Sequence, residues 1–277
     1  MGQLLEEARH SLGGGPAAAL EADLLLAHVL GVNRAWLFAN PARDVTPPNQ
    51  QVFMELIARR SAGEPIAYLV GVREFWSLPL RVTPDVLIPR PETELLVETA
   101  LRFIPPGAAW RVADLGTGSG AVALAIACER PACEVHATEL SAAALAVAAR
   151  NVDTIAPGRV QLHHGSWLEP LQGLFRVIVA NPPYVATGDP HLAEGDCRFE
   201  PGLALSPGPD GLEAIRRIAR DALPCLEPGG LLAFEHGYDQ GESARQLLRA
   251  LGYRHIETGQ DLEGRDRVTS GRKPEQM

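Results

Sequence analysis

Residues 181–184 read Asn-Pro-Pro-Tyr, and they follow the apolar run "FRVIVA" (175–180), which is typical of a buried strand. Proline has a fixed φ and no N–H group, and it holds the residue before it in extended geometry. The backbone carbonyls of Asn181 and Pro182 are therefore held where strand pairing has ended, and they are free to accept hydrogen bonds. Asn181 adds a side-chain carbonyl oxygen, so two fixed acceptors can converge on one NH₂ group. Tyr184 supplies an aromatic face.

Such a site suits a planar nitrogen with a delocalised lone pair, either a carboxamide or the exocyclic amine of a base. Two acceptors hold the two hydrogens, so the nitrogen is aimed at an electrophilic methyl group. Charge that develops on the nitrogen in the transition state strengthens both hydrogen bonds. No general base is required, because the proton can leave after the methyl group has arrived.

Two further motifs indicate a cofactor. In "DLGTGSG" (114–120), the glycines at 116, 118 and 120 let the backbone turn tightly and approach a ligand closely, and the following helix offers free N–H groups. Glu139 ends the run "VHATEL" about 20 residues downstream, where a carboxylate can accept from both hydroxyls of a ribose. These motifs predict an adenosine-containing cofactor, but they suit a nicotinamide dinucleotide and an adenosyl sulfonium compound equally well.

The predicted order of helices and strands shows where these motifs lie in the fold. Apolar residues recur at helical spacing from residue 4 to residue 61, and residues 73–89 read as two short extended runs divided at Pro79 and Pro84. We therefore expect a helical domain over residues 1–71, a hairpin-like connector over 72–84 and a second domain over 85–277.

After Pro91, helical and extended patterns alternate. The predicted helices are 92–104, 121–130, 141–152, 210–223 and 241–252, and the predicted strands are 110–115, 133–140, 159–165, 175–180 and 229–236, with two short strand candidates after them. This alternation predicts an α/β fold with a doubly wound parallel sheet, whose ligand lies beyond the carboxyl ends of the strands. The last residues, 271–277, are expected to be frayed.

The composition of the chain limits the classes of function that it can have. The net charge is −9 and Lys273 is the single lysine, so no basic stripe exists to follow a nucleic acid. The cysteines and the adjacent histidines lack the spacing of a metal site, and we expect no metal. These residues are Cys128, Cys133, Cys197 and Cys225, and His163 and His164. The N-terminus lacks the pattern of a signal peptide, and no apolar run is long enough for a membrane helix, so we expect a cytoplasmic protein that does not bind membranes.

The Asn-Pro-Pro-Tyr and "DLGTGSG" motifs together resemble the Rossmann-like class I S-adenosylmethionine methyltransferases that modify planar nitrogens. The longer strings "REFWSLPLRV", "LIPRPETELLVE", "DPHLAEGDCRFEP" and "FEHGYDQGE" are similar to one member family, the glutamine methyltransferases of peptide chain release factors. The similarity extends from the N-terminal helices to about Gly271.

The resemblance implies a role for each motif. S-adenosyl-L-methionine would be bound by Gly116, Thr117, Gly118, Ser119, Gly120, Glu139, Trp167 and Asn181, with Glu139 on the ribose and Trp167 against the adenine. Asn181, Pro182, Pro183 and Tyr184 would hold the substrate glutamine of a Gly-Gly-Gln loop, and Asn181, Pro182 and Tyr184 would be catalytic. The helical domain would bind the release factor, and we expect the enzyme to be a monomer.

Other functions remain open at this point. A DNA adenine methyltransferase could use the same acceptors on a flipped base, but it needs a basic surface. A nicotinamide dehydrogenase leaves the Asn-Pro-Pro-Tyr motif unexplained. A non-catalytic protein that binds a ribosomal partner would not bind the cofactor.

Overall fold

Helices α1 (Gly2–Ser11), α2 (Gly15–Leu30) and α4 (Pro47–Ser61) form where the apolar spacing of the sequence predicts helices. Two shorter helices, α3 (Arg34–Ala39) and α5 (Ile66–Val70), complete the N-terminal part of the chain. Their apolar faces meet in a core that includes Leu25, Leu26, Phe53 and Ile57. Buried Asp23 on α2 accepts from Arg9 and Arg34, each at 3.2 Å, and so ties α1 and α3 to α2.

The computed structural model describes residues 1–185, 195–202 and 211–275. The chain divides into two compact units, Met1–Val72 and Arg73–Met277. The predicted helix over 210–223 corresponds to α9 (Glu213–Cys225), and Asp210 lies outside the described residues, as do residues 189–194 of the string "DPHLAEGDCRFEP".

A hairpin of β1 (Val72–Phe75) and β2 (Leu78–Arg81) links the first helices to the sheet. The prediction that Pro79 divides an extended run was wrong, because Pro79 lies within β2. The turn falls instead at Trp76 and Ser77, whose φ angles are 53° and 58°. Two successive positive φ angles match the twist of a tight hairpin, and a two-stranded ribbon tolerates proline because its outer edge needs no N–H donor.

The second unit is a seven-stranded sheet with helices between the strands. In chain order these elements are α6 (Glu94–Phe103), β3 (Arg111–Leu115), α7 (Ala121–Glu129), β4 (Glu134–Glu139), α8 (Ala142–Ile155), β5 (Val160–His164), β6 (Phe175–Ala180), α9, β7 (Leu226–Glu235), α10 (Gly241–Ala250), β8 (Arg254–Gln260) and β9 (Asp266–Arg272). The strand order is β5-β4-β3-β6-β7-β9-β8, and β9 is antiparallel to both of its neighbours. The predicted parallel strands are therefore confirmed.

The sheet reverses its order between β3 and β6, which is where a doubly wound sheet binds its ligand. Leu115, the last residue of β3, pairs in register with Ala180, the last residue of β6. The next residues are Gly116, the first glycine of the glycine-rich motif, and Asn181, the first residue of the Asn-Pro-Pro-Tyr motif. Strand pairing thus brings two motifs that are 65 residues apart in the sequence to one point of the sheet edge.

The expectation of a frayed end at residues 271–277 was wrong for its first three residues. Gly271 and Arg272 pair with β7, and the Lys273 N–H donates to the Gly230 carbonyl at 2.9 Å. The strand is held because β9 lies between β7 and β8, where its backbone groups are paired on both sides.

Candidate active site

A cavity of about 210 Å³ opens at the carboxyl edge of the sheet, above the ends of β3 and β6. Three sequence motifs contribute to its wall: the glycine-rich loop, the end of β4 and the segment after β6. Of the site residues predicted from the sequence, Gly116, Thr117, Gly118, Ser119, Glu139, Trp167, Asn181 and Pro183 line it, whereas Gly120, Pro182 and Tyr184 do not.

The glycine-rich loop turns sharply from β3 into α7. Gly116, Gly118 and Gly120 have φ angles of 71°, 56° and 87°, a region that residues with a Cβ rarely adopt. The N–H groups of Gly116 and Thr117 both donate to the Thr138 carbonyl at 2.9 Å, which fastens the start of the loop to β4. A Cβ at Gly116 would lie 2.9 Å from the ring of Trp167. Glycine is therefore required here by close packing as well as by backbone geometry.

Trp167 itself has a φ angle of 49°, so its backbone is held in a left-handed conformation that is costly for a bulky residue. This conformation places the indole ring over Gly116 at the cavity wall. The family resemblance implied that Trp167 belongs to the site, but the sequence gave no indication of the unusual backbone.

Asp114 supports the loop from below, a role that was missed at the sequence level. Its Oδ2 accepts from the Thr117 hydroxyl at 2.6 Å and from the Ala123 N–H at 3.1 Å, so it joins both ends of the loop. Burial raises the pKa of Asp114 to about 6, although these two donors oppose the increase. Its position as the last polar residue of an apolar strand was the signal that could have identified it.

Glu139 ends β4 with its carboxylate at the cavity. Its Oε2 accepts from the Gly118 N–H and its Oε1 from the Ser141 N–H, each at 2.9 Å. Each carboxylate oxygen has a second lone pair, so the group can still accept from a ligand. The two backbone donors fix the direction in which that acceptance occurs.

The Asn-Pro-Pro-Tyr segment follows directly on Ala180, the last residue of β6. Among the residues that the structure describes, no backbone N–H donates to the carbonyl of Asn181 or Pro182. Pro182 is buried, and the Tyr184 ring packs against the apolar core between the sheet and α9. Tyr184 thus lies beneath the cavity wall, and its phenol donates to Glu235 Oε1 at 3.0 Å.

Thr93 and Glu235 were also missed at the sequence level. The Nδ2 of Asn181 donates to the Thr93 hydroxyl oxygen at 3.1 Å, and Thr93 lines the cavity. Glu235, at the end of β7, is 1% exposed, and its burial raises the pKa of its carboxyl group. Both residues stand in strings that carried the family resemblance, "LIPRPETELLVE" and "FEHGYDQGE", but spacing alone gave neither a role.

The segment around Arg90 also lines the cavity. Arg90 Nη2 lies 2.6 Å from Oε2 of Glu200, whose side chain is fully buried, and the Ile88 N–H donates to Glu200 Oε1 at 3.1 Å. Burial raises the pKa of Glu200, and the charge of Arg90 opposes that increase. The ion pair holds Pro201, which also lines the cavity, close to Arg90.

The described residues contain no group of three or more His, Cys, Asp or Glu side chains that could hold a metal ion. In the same part of the chain, no helix is both long enough and apolar enough to cross a membrane. His163 lies on β5 and contacts His136 rather than the cavity, with 3.1 Å between their ring nitrogens.

Comparison with known proteins agrees with this architecture. Residues 3–71 match the PrmC N-terminal domain, and residues 91–194 match the methyltransferase small domain. A release factor glutamine methyltransferase of Salmonella typhimurium is 46% identical over 97% of both chains, and one of Bordetella pertussis is 52% identical over 91% of this chain and 94% of its own.

A solved structure shows the same fold. It is the Thermus thermophilus 16S rRNA N2 G1207 methyltransferase in complex with AdoMet and guanosine, which is 20% identical with a TM-score of 0.54, over 73% of this chain and 49% of its own. The predicted class I methyltransferase fold is confirmed. The extent and level of identity with the curated enzymes show that the chain belongs to the release factor glutamine methyltransferase family.

Proposed function

We propose that this enzyme transfers a methyl group from S-adenosyl-L-methionine to the side-chain amide nitrogen of the glutamine in the Gly-Gly-Gln loop of peptide chain release factors. The observation that carries the proposal is the set of acceptors at the end of β6. The carbonyls of Asn181 and Pro182 have no backbone partner among the described residues, and they lie at the switch point of a methyltransferase sheet.

The residues of the cavity suit an adenosine-containing cofactor. Glu139 presents a carboxylate that two backbone N–H groups hold in place, as recognition of ribose hydroxyls requires. The indole of Trp167 lines the cavity and offers a flat apolar face for a base. S-adenosyl-L-methionine, when bound, supplies an electrophilic methyl group.

The protein's own part in the reaction is binding and orientation. The Oδ1 of Asn181 and the carbonyl of Pro182 accept the two amide hydrogens of the glutamine, so its nitrogen cannot rotate away from the methyl donor. As positive charge develops on that nitrogen, both hydrogen bonds become stronger, which lowers the barrier. Pro183 contributes to the wall of the substrate site. Tyr184 holds the segment from below through Glu235.

The N-terminal unit would bind the release factor. Its helices expose Leu20 and Leu24 on one face of α2, together with Phe38, Val52 and Met54. Leu20 and Leu24 lie one helical turn apart, and adjacent exposed apolar side chains suit contact with another protein. The net charge of −9 does not favour contact with a nucleic acid. Because release factors act in translation, we also propose that the enzyme works in the cytoplasm, as a monomer.

The test is a transfer assay with S-adenosyl-L-methionine labelled in its methyl group. Purified release factors, duplex DNA and tRNA are incubated separately with the enzyme at two salt concentrations. We expect label on the release factors alone. Label on DNA would identify an adenine methyltransferase, and an absence of both label and cofactor binding would identify a non-catalytic binding protein.

A further inference from the structure

A second cavity, of about 200 Å³, lies at the amino edge of the sheet, near the start of β6, β7 and β8 and the end of β9. A volume of about 10–15 Å³ holds one water molecule, so this cavity has room for a ligand of several atoms. In the described part of the chain, four of its lining residues carry a permanent positive charge and one, Glu275, is a carboxylate. The four are Arg176, Arg254, Arg272 and Lys273. The cavity thus concentrates positive charge in a chain whose net charge is −9.

Two of these cations are held together by strand pairing. Arg254 on β8 and Arg272 on β9 are directly opposite each other in the register of the sheet. Paired residues of neighbouring strands point to the same face, and like charges at such positions destabilise the sheet. Among the residues that the structure describes, neither guanidinium has an ion pair or a hydrogen bond. A bound anion would remove the repulsion between them.

Aromatic rings orient two of the guanidinium groups. The Cζ of Arg272 lies 4.9 Å from the centre of the Phe103 ring. The Cζ of Arg176 lies 5.1 Å from the centre of the Trp110 ring, and its Nη1 donates to the Pro228 carbonyl at 2.6 Å. Stacking uses the flat face of a guanidinium and leaves the N–H groups at its edge free to donate. These two side chains are therefore fixed in place while most of their donors remain available.

Lys273, the single lysine of the chain, is fixed in the same cavity. Its Nζ donates to the Leu226 carbonyl at 2.8 Å, and its backbone N–H donates to the Gly230 carbonyl at 2.9 Å. An ammonium group has three protons, so two remain for a ligand. The cavity therefore presents donors of both cationic types to one volume.

We propose that this cavity is a binding site for the phosphate groups of a small molecule. Planar guanidinium groups match pairs of phosphate oxygens, and a phosphate chain has enough oxygens to meet four cations at once, whereas one carboxylate has two. A nucleic acid is disfavoured, because the cations are gathered in one cavity rather than along a groove and the net charge of −9 repels a long polyanion. The cavity lies at the edge of the sheet opposite to the methyl-transfer site, so its occupation does not depend on the proposed function.

Titration calorimetry tests binding of inorganic phosphate, tripolyphosphate and ATP, at an ionic strength held constant with chloride. We expect tripolyphosphate to bind more tightly than phosphate, because it offers more oxygens to the same cations. Arg254→Gln should raise the dissociation constant of tripolyphosphate about 10-fold, the usual effect of losing one charge-assisted hydrogen bond. Arg220→Gln, at an exposed position on α9 outside the cavity, is the matched control and should bind as the unaltered protein does. Tighter binding of ATP than of tripolyphosphate would identify a nucleotide as the source of the phosphate groups, and weaker binding would identify a free phosphate chain.

Thermal unfolding gives a second readout. Without phosphate, Arg254→Gln should unfold at the same temperature as the unaltered protein or at a higher one, because it removes the repulsion from Arg272. Tripolyphosphate should raise the unfolding temperature of the unaltered protein, and it should raise that of Arg254→Gln less. A lower unfolding temperature of Arg254→Gln without phosphate would show that Arg254 supports the fold and not a ligand.

Amide chemical shifts locate the bound phosphate. Tripolyphosphate should shift the amide signals of Arg254, His255 and Lys273, and it should leave those of the glycine-rich loop unchanged. Shifts confined to the glycine-rich loop, equal binding by Arg254→Gln and the unaltered protein, or equal binding of sulfate and tripolyphosphate, which would indicate an adventitious ion only, would each overturn the proposal. An RNA oligonucleotide that bound more tightly than tripolyphosphate and lost its affinity in Arg254→Gln would assign the cavity to nucleic acid instead.

Discussion

Glu139 Oε2 lies 2.9 Å from the backbone nitrogen of Gly118, so the end of β4 holds the middle of the glycine-rich loop. A single carboxylate thereby serves two purposes: it accepts from the loop and it faces the cavity. Glu139→Ala should weaken binding of S-adenosyl-L-methionine by about 1.5–3 kcal/mol, because it removes charge-assisted hydrogen bonds. Titration calorimetry measures this change, and Glu98→Ala, an exposed position on α6, is the control. An unaltered dissociation constant would remove Glu139 from the site.

The close approach of Trp167 to Gly116 leads to a prediction about cofactor binding. Gly116→Ala places a Cβ 2.9 Å from the indole ring on a backbone with a φ angle of 71°. We expect it to weaken cofactor binding by about 1–3 kcal/mol, the usual range for backbone strain at a functional site. Gly158→Ala has nearly the same φ angle, 70°, but nothing lies within 4 Å of the added methyl group. If both variants bound the cofactor equally well, the contact with Trp167 would have no role in the site.

The sequence predicted the strands and the longer helices because their apolar residues recur regularly over many positions. Such a pattern outweighs the propensities of single residues. The run Phe175–Ala180 is buried on both faces, and no alternative element fits it. The sequence did not predict α3, because a helix of 6 residues has too few turns to show a period. The contacts of Thr93 with Asn181, and of Glu235 with Tyr184, were also missed. The partners are 88 and 51 residues apart in the sequence, and only the tertiary fold brings them together.

The raised pKa of Asp114 predicts that the stability of the folded protein depends on pH. Burial raises its pKa to about 6 in the folded protein, whereas an aspartate in an unfolded chain titrates near pH 3.9. The folded state therefore holds the proton more tightly, and the stabilising contribution of the protonated group is lost as the pH rises through about 6. Relative to Asp114→Asn, the free energy of unfolding of the unaltered protein should fall by about 2 kcal/mol between about pH 4 and about pH 7.

Urea denaturation at several pH values measures this difference. Asp153→Asn, at an exposed position on α8, should follow the unaltered protein throughout the pH range. A constant difference between the unaltered protein and Asp114→Asn would show that Asp114 titrates normally in the folded state.

Asn181 tests the role of the acceptors at the end of β6. Asn181→Ala should reduce kcat by about 10²–10³-fold, because it removes one aligned transition-state contact, and cofactor binding should change far less. Single-turnover measurements at saturating cofactor separate these two effects. Unchanged turnover would contradict the proposed mechanism.

The central claim is that the site methylates a primary amide, and the most direct measurement is peptide mass spectrometry of a release factor after incubation with the enzyme and S-adenosyl-L-methionine. The intact factor should gain one methyl group on the side chain of the Gly-Gly-Gln glutamine. A factor in which this glutamine is replaced by glutamate keeps the shape and the carbonyl group but lacks the NH₂ group, and it should gain none. Methylation of the glutamate form at the same rate, or a methyl group at any other residue of the intact factor, would contradict the account.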